Sequence, residues 1–280
     1  LVNQFLGEDR LVVFDQPGTT RDSIYIPFER QGTVYTFIDT AGARRQSRIR
    51  DVSEKYSIAK TIQAIANAHV VLLVIDAIEG VVDQDLNLLG HCLNVGRGLV
   101  LVVNKWDNLQ APDRSWIKSE VSRKLNFIEF ADLHFISALR GTRVRNLYKS
   151  IQNAYNSTMI ELSTSDLNKA LKRAQEKIPP PMIGGRRLKM RYAHQGGNNP
   201  PRIIIHANQT KKLPVNYIRY LEKYFTKEFS LHGTPLRLEF RSGENPYSDV
   251  PNRLTPRQTR RRKRMLAHAK KKRKSSRRGR

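Results

Sequence analysis

Two rhythms of hydrophobic and polar positions divide the chain. Over residues 1–160, short β-branched and mostly apolar runs occur at Val34–Ile38, Val70–Asp76, Leu99–Asn104 and Leu133–Ser137. They alternate with longer amphipathic stretches at Val52–Ala68, Asp83–Val95, Arg114–Phe127 and Val144–Met159. A strand that is apolar along its whole length is buried on both faces, so this alternation predicts a parallel sheet covered by helices on both sides. In such sheets ligands bind just beyond the strand C-termini. That rule singles out Asp39, Asp76, Asn104 with Asp107, and Ser137.

From about residue 164 the period changes. Asp166–Lys177 is a helix stopped by Pro179-Pro180-Pro181. Two alternating strands follow, Arg187–Ala193 and Arg202–His206, joined by the turn Gly196-Gly197-Asn198-Asn199-Pro200. Val215–Phe229 is amphipathic, with Tyr217, Tyr220 and Tyr224 at helical spacing, a stripe that reads as core-facing. Leu236–Phe240 is a third strand. The order αββαβ predicts a small α+β sandwich, and beyond Arg241 only a brief helix near Pro256–His268 is expected. The expected organisation is a doubly wound, mostly parallel α/β domain over 1–162, the sandwich over 163–242 and a tail over 243–280.

Charge changes the picture most in the tail. The formal net charge is +25, and residues 253–280 hold 15 Lys and Arg with no acid, so the remainder carries +10. Cationic surface is drawn to phosphate backbones at long range, which points to a nucleic-acid partner. The single cysteine, Cys92, cannot form an internal disulfide and suits a reducing, cytoplasmic setting. The apolar runs fall far short of the ~20 residues that a membrane span needs, and residues 1–15 lack a signal-peptide pattern.

Four short motifs carry chemistry. In Asn104-Lys105-Trp106-Asp107, a carboxylate just past a strand can accept from the two adjacent N–H donors of guanine. Adenine would face the same carboxylate with an acceptor, so the pair discriminates strongly and excludes an ATP site. The Lys105 stem can cover the ring face. Asp39-Thr40-Ala41-Gly42 gives a carboxylate just past a strand, which suits a water-bridged Mg²⁺ site, with Gly42 able to let a backbone N–H approach a terminal phosphate. Ser137-Ala138-Leu139, 33 residues beyond Asn104, offers backbone N–H groups to the guanine oxygen. Pro17-Gly18-Thr19-Thr20-Arg21-Asp22 supplies hydroxyls in a loop able to order around a γ-phosphate.

With those residues in hand, the chain resembles the Der (EngA) family of ribosome-assembly GTPases, in its C-terminal portion: a second G domain and a domain similar to a KH fold. The likeness extends through Pro179-Pro180-Pro181, Gly185-Arg186-Arg187, Arg219-Tyr220-Leu221, Gly233-Thr234-Pro235 and Gly243-Glu244-Asn245-Pro246-Tyr247. It implies GTP or GDP and Mg²⁺ as cofactors, with K⁺ a further candidate. Thr20 and Asp39 would hold the metal, and Asp39, Thr40, Ala41, Gly42 and Ala43 would meet the γ-phosphate region. Asn104, Lys105, Trp106 and Asp107 would read the base, and Ser137, Ala138 and Leu139 would complete its pocket. The implied partners are the large ribosomal subunit and its RNA, with a GTPase-activating partner a further candidate.

Three departures limit that resemblance. No G-x-x-x-x-G-K-[ST] run occurs in the 280 residues, so the phosphate loop and its central strand are expected upstream of Leu1, with Val2–Leu6 as the helix after it. Ala43 stands where a water-orienting glutamine would be, so no catalytic residue is named. No G-x-x-G occurs in 164–242, which leaves the sandwich either an RNA contact or a docking module. The alternative is a nucleotide-free RNA-binding or scaffold fragment.

Overall fold

The computed structural model describes residues 1–8, 24–39, 52–183, 186–208, 210 and 213–242. Residues 1–242 make one compact unit. Helix α1 (Val2–Leu6) ends on Gly7, which takes the left-handed conformation that closes a helix C-terminus. An antiparallel hairpin follows, β1 (Ile24–Arg30) against β2 (Thr33–Asp39), turned by Gln31 and Gly32, both at positive φ. Strand β1 was not expected. Pro27 lacks an N–H and demotes a strand pattern, yet among the described residues β1 pairs with β2 alone and tolerates it.

Three of the four strands expected for the parallel sheet form it, in the order β3 (Val70–Asp76), β4 (Gly98–Asn104), β5 (Asp132–Phe135). The fourth, Val34–Ile38, lies in β2, where the tight Gln31-Gly32 turn pairs it antiparallel with β1 instead. Helix α2 (Val52–Asn67) precedes β3, α3 (Asp83–Val95) and α4 (Ala111–Lys124) connect the strands, and α5 (Asn146–Thr158) follows β5. Strand β4 shows why its sequence is apolar throughout. Leu99, Leu101 and Val103 pack with Leu89 and Cys92 of α3 and Ile117 and Val121 of α4. Val100 and Val102 pack on the other face with Phe5 of α1 and Leu147 and Ala154 of α5. Burial of this kind contributes roughly 1.5–3 kcal/mol per large side chain. Among the described residues the hairpin and the three-stranded sheet share no ladder. They meet through rings instead: Phe37 of β2 lies 5.0 Å from Phe5, which sits 4.9 Å from Tyr148 of α5.

The C-terminal part has the expected αββαβ order with one addition. Helix α6 (Thr164–Lys177) starts at Ser163, whose hydroxyl accepts from the Asp166 N–H at 3.1 Å. A two-residue pair, β6 (Met182–Ile183) with β7 (Arg186–Arg187), precedes the main sheet. That sheet has the order β10 (Arg237–Arg241), β9 (Arg202–Ala207), β8 (Met190–Gly197), and α7 (Val215–Glu228) covers it together with α6. Leu167, Leu171, Ile203, Ile205, Leu221 and Phe225 form the centre of this core. The tyrosine stripe faces inward as expected. Tyr217 and Tyr220 donate to the Ile178 and Ala174 carbonyls, and burial pushes the Tyr217 phenol up to about 12.

The joint between the two cores is largely main-chain. The turn before β10 runs along the start of β4, with Leu99 N–H donating to the Gly233 carbonyl and Gly233 N–H to the Phe130 carbonyl, both at 2.6 Å. Gly233 has φ +66, and a Cβ there would lie 2.5 Å from that of Ala154. Only glycine meets both demands at little cost. Nearby, Asn199 N–H donates to the Thr158 carbonyl and His232 N–H to the Ser157 hydroxyl.

Candidate functional site

The C-terminal ends of β3, β4 and β5 bring together the polar residues that the pattern rule singled out. Register places Asp76 directly beside Asn104. Past Asn104 the chain turns sharply through Lys105 at φ +63 into a single 3-10 turn, Trp106–Asn108. A left-handed lysine is uncommon. Here it aims the Lys105 ammonium back at Asp76 Oδ2, 2.6 Å away, and the ammonium side stays 42 % exposed. The Asp76 carboxylate also accepts from the Ile78 N–H at 2.9 Å, which fixes the loop after β3.

Asn104 and the Ser137 loop are tied to each other. Asn104 Oδ1 accepts from the Ala138 N–H at 2.9 Å, while Trp106 N–H donates to the Ile136 carbonyl. Ser137 and Thr142 exchange two main-chain bonds, and the Ser137 hydroxyl accepts from the Arg140 N–H. The Ser137 and Ala138 N–H groups are therefore used within the protein. Leu139 stands 86 % exposed at the loop tip. Gly141, at φ +68, lets this loop turn back beside Gln4 of α1.

Asp107 sits at the mouth of this arrangement. A hydrogen bond from the Ser137 hydroxyl holds its carboxyl below the usual range, with Arg140 and Arg114 adding to the effect. Arg140 Nε lies 3.1 Å from Asp107 Oδ2, and its own side chain is 70 % exposed. The Trp106 ring packs on Phe135 at 4.4 Å between centroids, with Lys118 over both rings, which anchors the turn to β5. An ionised carboxylate able to accept from two adjacent N–H groups thus stands beside a lysine stem long enough to cover a ring.

Sequence reasoning placed these residues but missed two partners. Arg140, directly after Ser137-Ala138-Leu139, carries no motif signal, and the Asp76 pairing with Lys105 depends on the left-handed turn. Of the remaining expected positions, Asp39 ends β2, its backbone paired with Ile24. Thr20, Thr40, Ala41, Gly42 and Ala43 lie outside the described residues. His134 bonds the Ser150 hydroxyl at 2.8 Å inside the β5–α5 packing, a structural contact. A groove of about 490 Å³ lined by Asn153, Asn156, Ser157, Ile160, Ser230 and His232 lies at the other end of the sheet, and its amides and hydroxyls offer no fixed charge to a phosphate.

Comparison with known proteins places both halves. Residues 1–105 match the family described as 50S ribosome-binding GTPase. Residues 161–241 match the KH-domain-like region at the C-terminus of EngA bacterial GTPase enzymes. The chain is similar to GTPase Der of Hahella chejuensis, 55 % identical over 97 % of this chain and 57 % of that protein. It is also similar to GTPase Der of Saccharophagus degradans, 58 % identical over 91 % of this chain and 54 % of the relative. The chain thus spans a little over half the length of these curated relatives. Aquifex aeolicus Era, at 20 % identity and a TM-score of 0.48 over 86 % of this chain and 87 % of that one, is too loose a likeness to carry residues across.

Proposed function

The chain belongs to the Der family of GTPases, and from that premise we propose that it reads guanine at the ends of β4 and β5 as part of a GTP-hydrolysing switch in assembly of the large ribosomal subunit. The observation that carries this reading is the convergence of Asn104, Lys105, Asp107 and the Ser137 loop at one end of the sheet. Asp107 accepts from the two N–H donors of the base, and the exposed Arg140 swings off the carboxylate to admit it. Asn104 keeps the Ser137 loop in place, so that Leu139 can present its N–H to the guanine oxygen. Trp106, clamped on Phe135, keeps the turn from moving when Lys105 covers the ring.

Mg²⁺, when bound, neutralises phosphate charge, and Thr20 and Asp39 are the residues that would hold it, with Asp39–Ala43 facing the γ-phosphate. K⁺ would serve beside the same phosphates. The basic run 253–280 directs the switch to ribosomal RNA through phosphate contacts. These assignments follow the family pattern, and a ribosome-directed switch with a single cysteine would work in the cytoplasm.

Calorimetry of the chain with GTP and with ATP tests the nucleotide half, with heat expected for GTP alone. Deletion of 253–280 tests the RNA half: subunit association should weaken and its salt dependence flatten. Unchanged association at low salt would remove the tail from the account. The alternative outcome is a nucleotide-free scaffold. No heat with GTP up to millimolar concentration would support it.

A further inference from the structure

The outer face of the C-terminal sheet carries three near-parallel rings that the nucleotide site does not use. Strand registers put them there. On β8 and β9, Tyr192 lies opposite His206 and His194 opposite Ile204; on β9 and β10, His206 lies beside Arg241 and Ile204 beside Glu239. Paired residues share a face of a sheet, and the alternate set, Ala193, Ile203 and Ile205, points into the core. The outer face therefore has three rungs: Tyr192–His206–Arg241, His194–Ile204–Glu239 and Gly197–Arg202–Arg237. The third rung is engaged, since Arg237 donates to the Asn94 carbonyl at the end of α3. The first rung is open, with Tyr192 45 % exposed.

The ring geometry is that of a stack. Tyr192 and His206 are 4.2 Å apart between centroids and 8° from parallel. His194 lies 5.3 Å from His206 at 27° and 6.1 Å from Tyr192 at 24°. Among the described residues His206 Nε2 is buried without a hydrogen-bond partner, so the ring is held by its faces rather than by that nitrogen. Burial lowers the His206 pKa, and the nearby His194 and Arg241 lower it further, which favours the uncharged imidazole. The rim is cationic. Arg241 pairs with Glu239 at 2.7 Å and Arg202 approaches it at 4.0 Å, while both guanidinium groups remain about half exposed.

We propose that this open rung is a stacking platform for one unpaired base of a single-stranded RNA, the base lying on the exposed side of Tyr192 and its phosphate against Arg241. The proposal rests on the RNA-directed reading above and gives it a site outside the tail. A single strand is favoured for three reasons. Every base has a π-face, stacking is tolerant of sequence, and a duplex keeps its bases against each other. The chain's net charge of +25 supplies the long-range attraction.

The test uses the full chain and a ten-nucleotide oligoribonucleotide carrying one 2-aminopurine. Binding should quench the 2-aminopurine fluorescence. Tyr192→Ala should abolish most of the quench and weaken binding roughly tenfold, while Tyr192→Phe keeps both and thermal melts show all variants folded. An unchanged quench in Tyr192→Ala, or none in the parent chain, overturns the platform. So does equal quenching with the duplex form, or self-association of the parent chain that Tyr192→Ala abolishes, which would make this face a dimer contact. Oligonucleotide anisotropy separates the two levels: binding without quench removes the platform and leaves the RNA-directed switch standing, whereas no binding removes both.

Discussion

The two ends of β4 are built in opposite ways. At its C-terminal end the work is done by side chains: Asn104 on the Ala138 N–H, Lys105 on Asp76, Asp107 beside Arg140 and Ser137. At its N-terminal end it is done by main chain, where Leu99 N–H and the Phe130 carbonyl both bond Gly233. The function proposed above gives the first end the task of recognising a ligand by residue identity. The second joins two cores, and its demand on sequence is the absence of a side chain at one position. A change at the N-terminal end should therefore cost stability and spare recognition, while a change at the C-terminal end should do the reverse.

The largest break is Gly233→Val. Its left-handed φ and the 2.5 Å approach to Ala154 make a β-branched side chain both strained and overpacked, at about 3–5 kcal/mol together. Denaturant unfolding should show that loss with guanine preference intact, and a loss below about 1 kcal/mol would mean that the joint is softer than its geometry. Next comes Phe5→Ala, which empties a 5 % exposed position between β2, β4 and α5. It should cost about 3 kcal/mol in the same measurement; no change would show that α1 contributes nothing to this core.

Lys105→Ala sharpens the other side of the comparison. The pair with Asp76 is part-exposed, so stability should fall by less than about 1 kcal/mol. The nucleotide off-rate should rise, because the ring loses its cover. Smallest is Ser137→Ala, read as a pH profile. The Ser137 hydroxyl is the main cause of the lowered Asp107 pKa. A depressed carboxyl stays ionised as pH falls and loses its charge only below its folded pKa. Removing the hydroxyl raises that pKa, so guanine-nucleotide affinity should fail at a higher pH on the acid side. An acid limb that does not move would show that the hydroxyl leaves Asp107 alone.

Much of the fold was legible because β4 is buried on both faces and its apolar run, like that of β3, is unbroken. The αββαβ order was legible for a related reason: Pro179–Pro181 and the Gly196–Pro200 turn punctuate it. Strand β1 was not, since Pro27 interrupts its pattern and its partner is supplied by a tight positive-φ turn. In the site, Asn104, Asp107 and Ser137 could be named because their chemistry lies in short contiguous motifs. Arg140 could not, because its role depends on how the Ser137 loop folds back toward Asp107. The Tyr192–His206–Arg241 rung draws on three strands, and no local spacing announces it. Gly233 illustrates the same limit: Gly233-Thr234-Pro235 was noticed as a likeness, but its reason is a contact with Leu99 more than a hundred residues away.

The most direct measurement is the nucleotide preference of the Asp107→Asn chain, by competition of GDP and XDP against a fluorescent nucleotide. An amide in place of the carboxylate loses the acceptor pair for guanine and gains a donor for the extra oxygen of xanthine. GDP binding should weaken at least about 100-fold while XDP binding strengthens. A GDP-to-XDP ratio equal to that of the unsubstituted chain would contradict the assignment of Asp107, and with it the reading of this strand end as a guanine site.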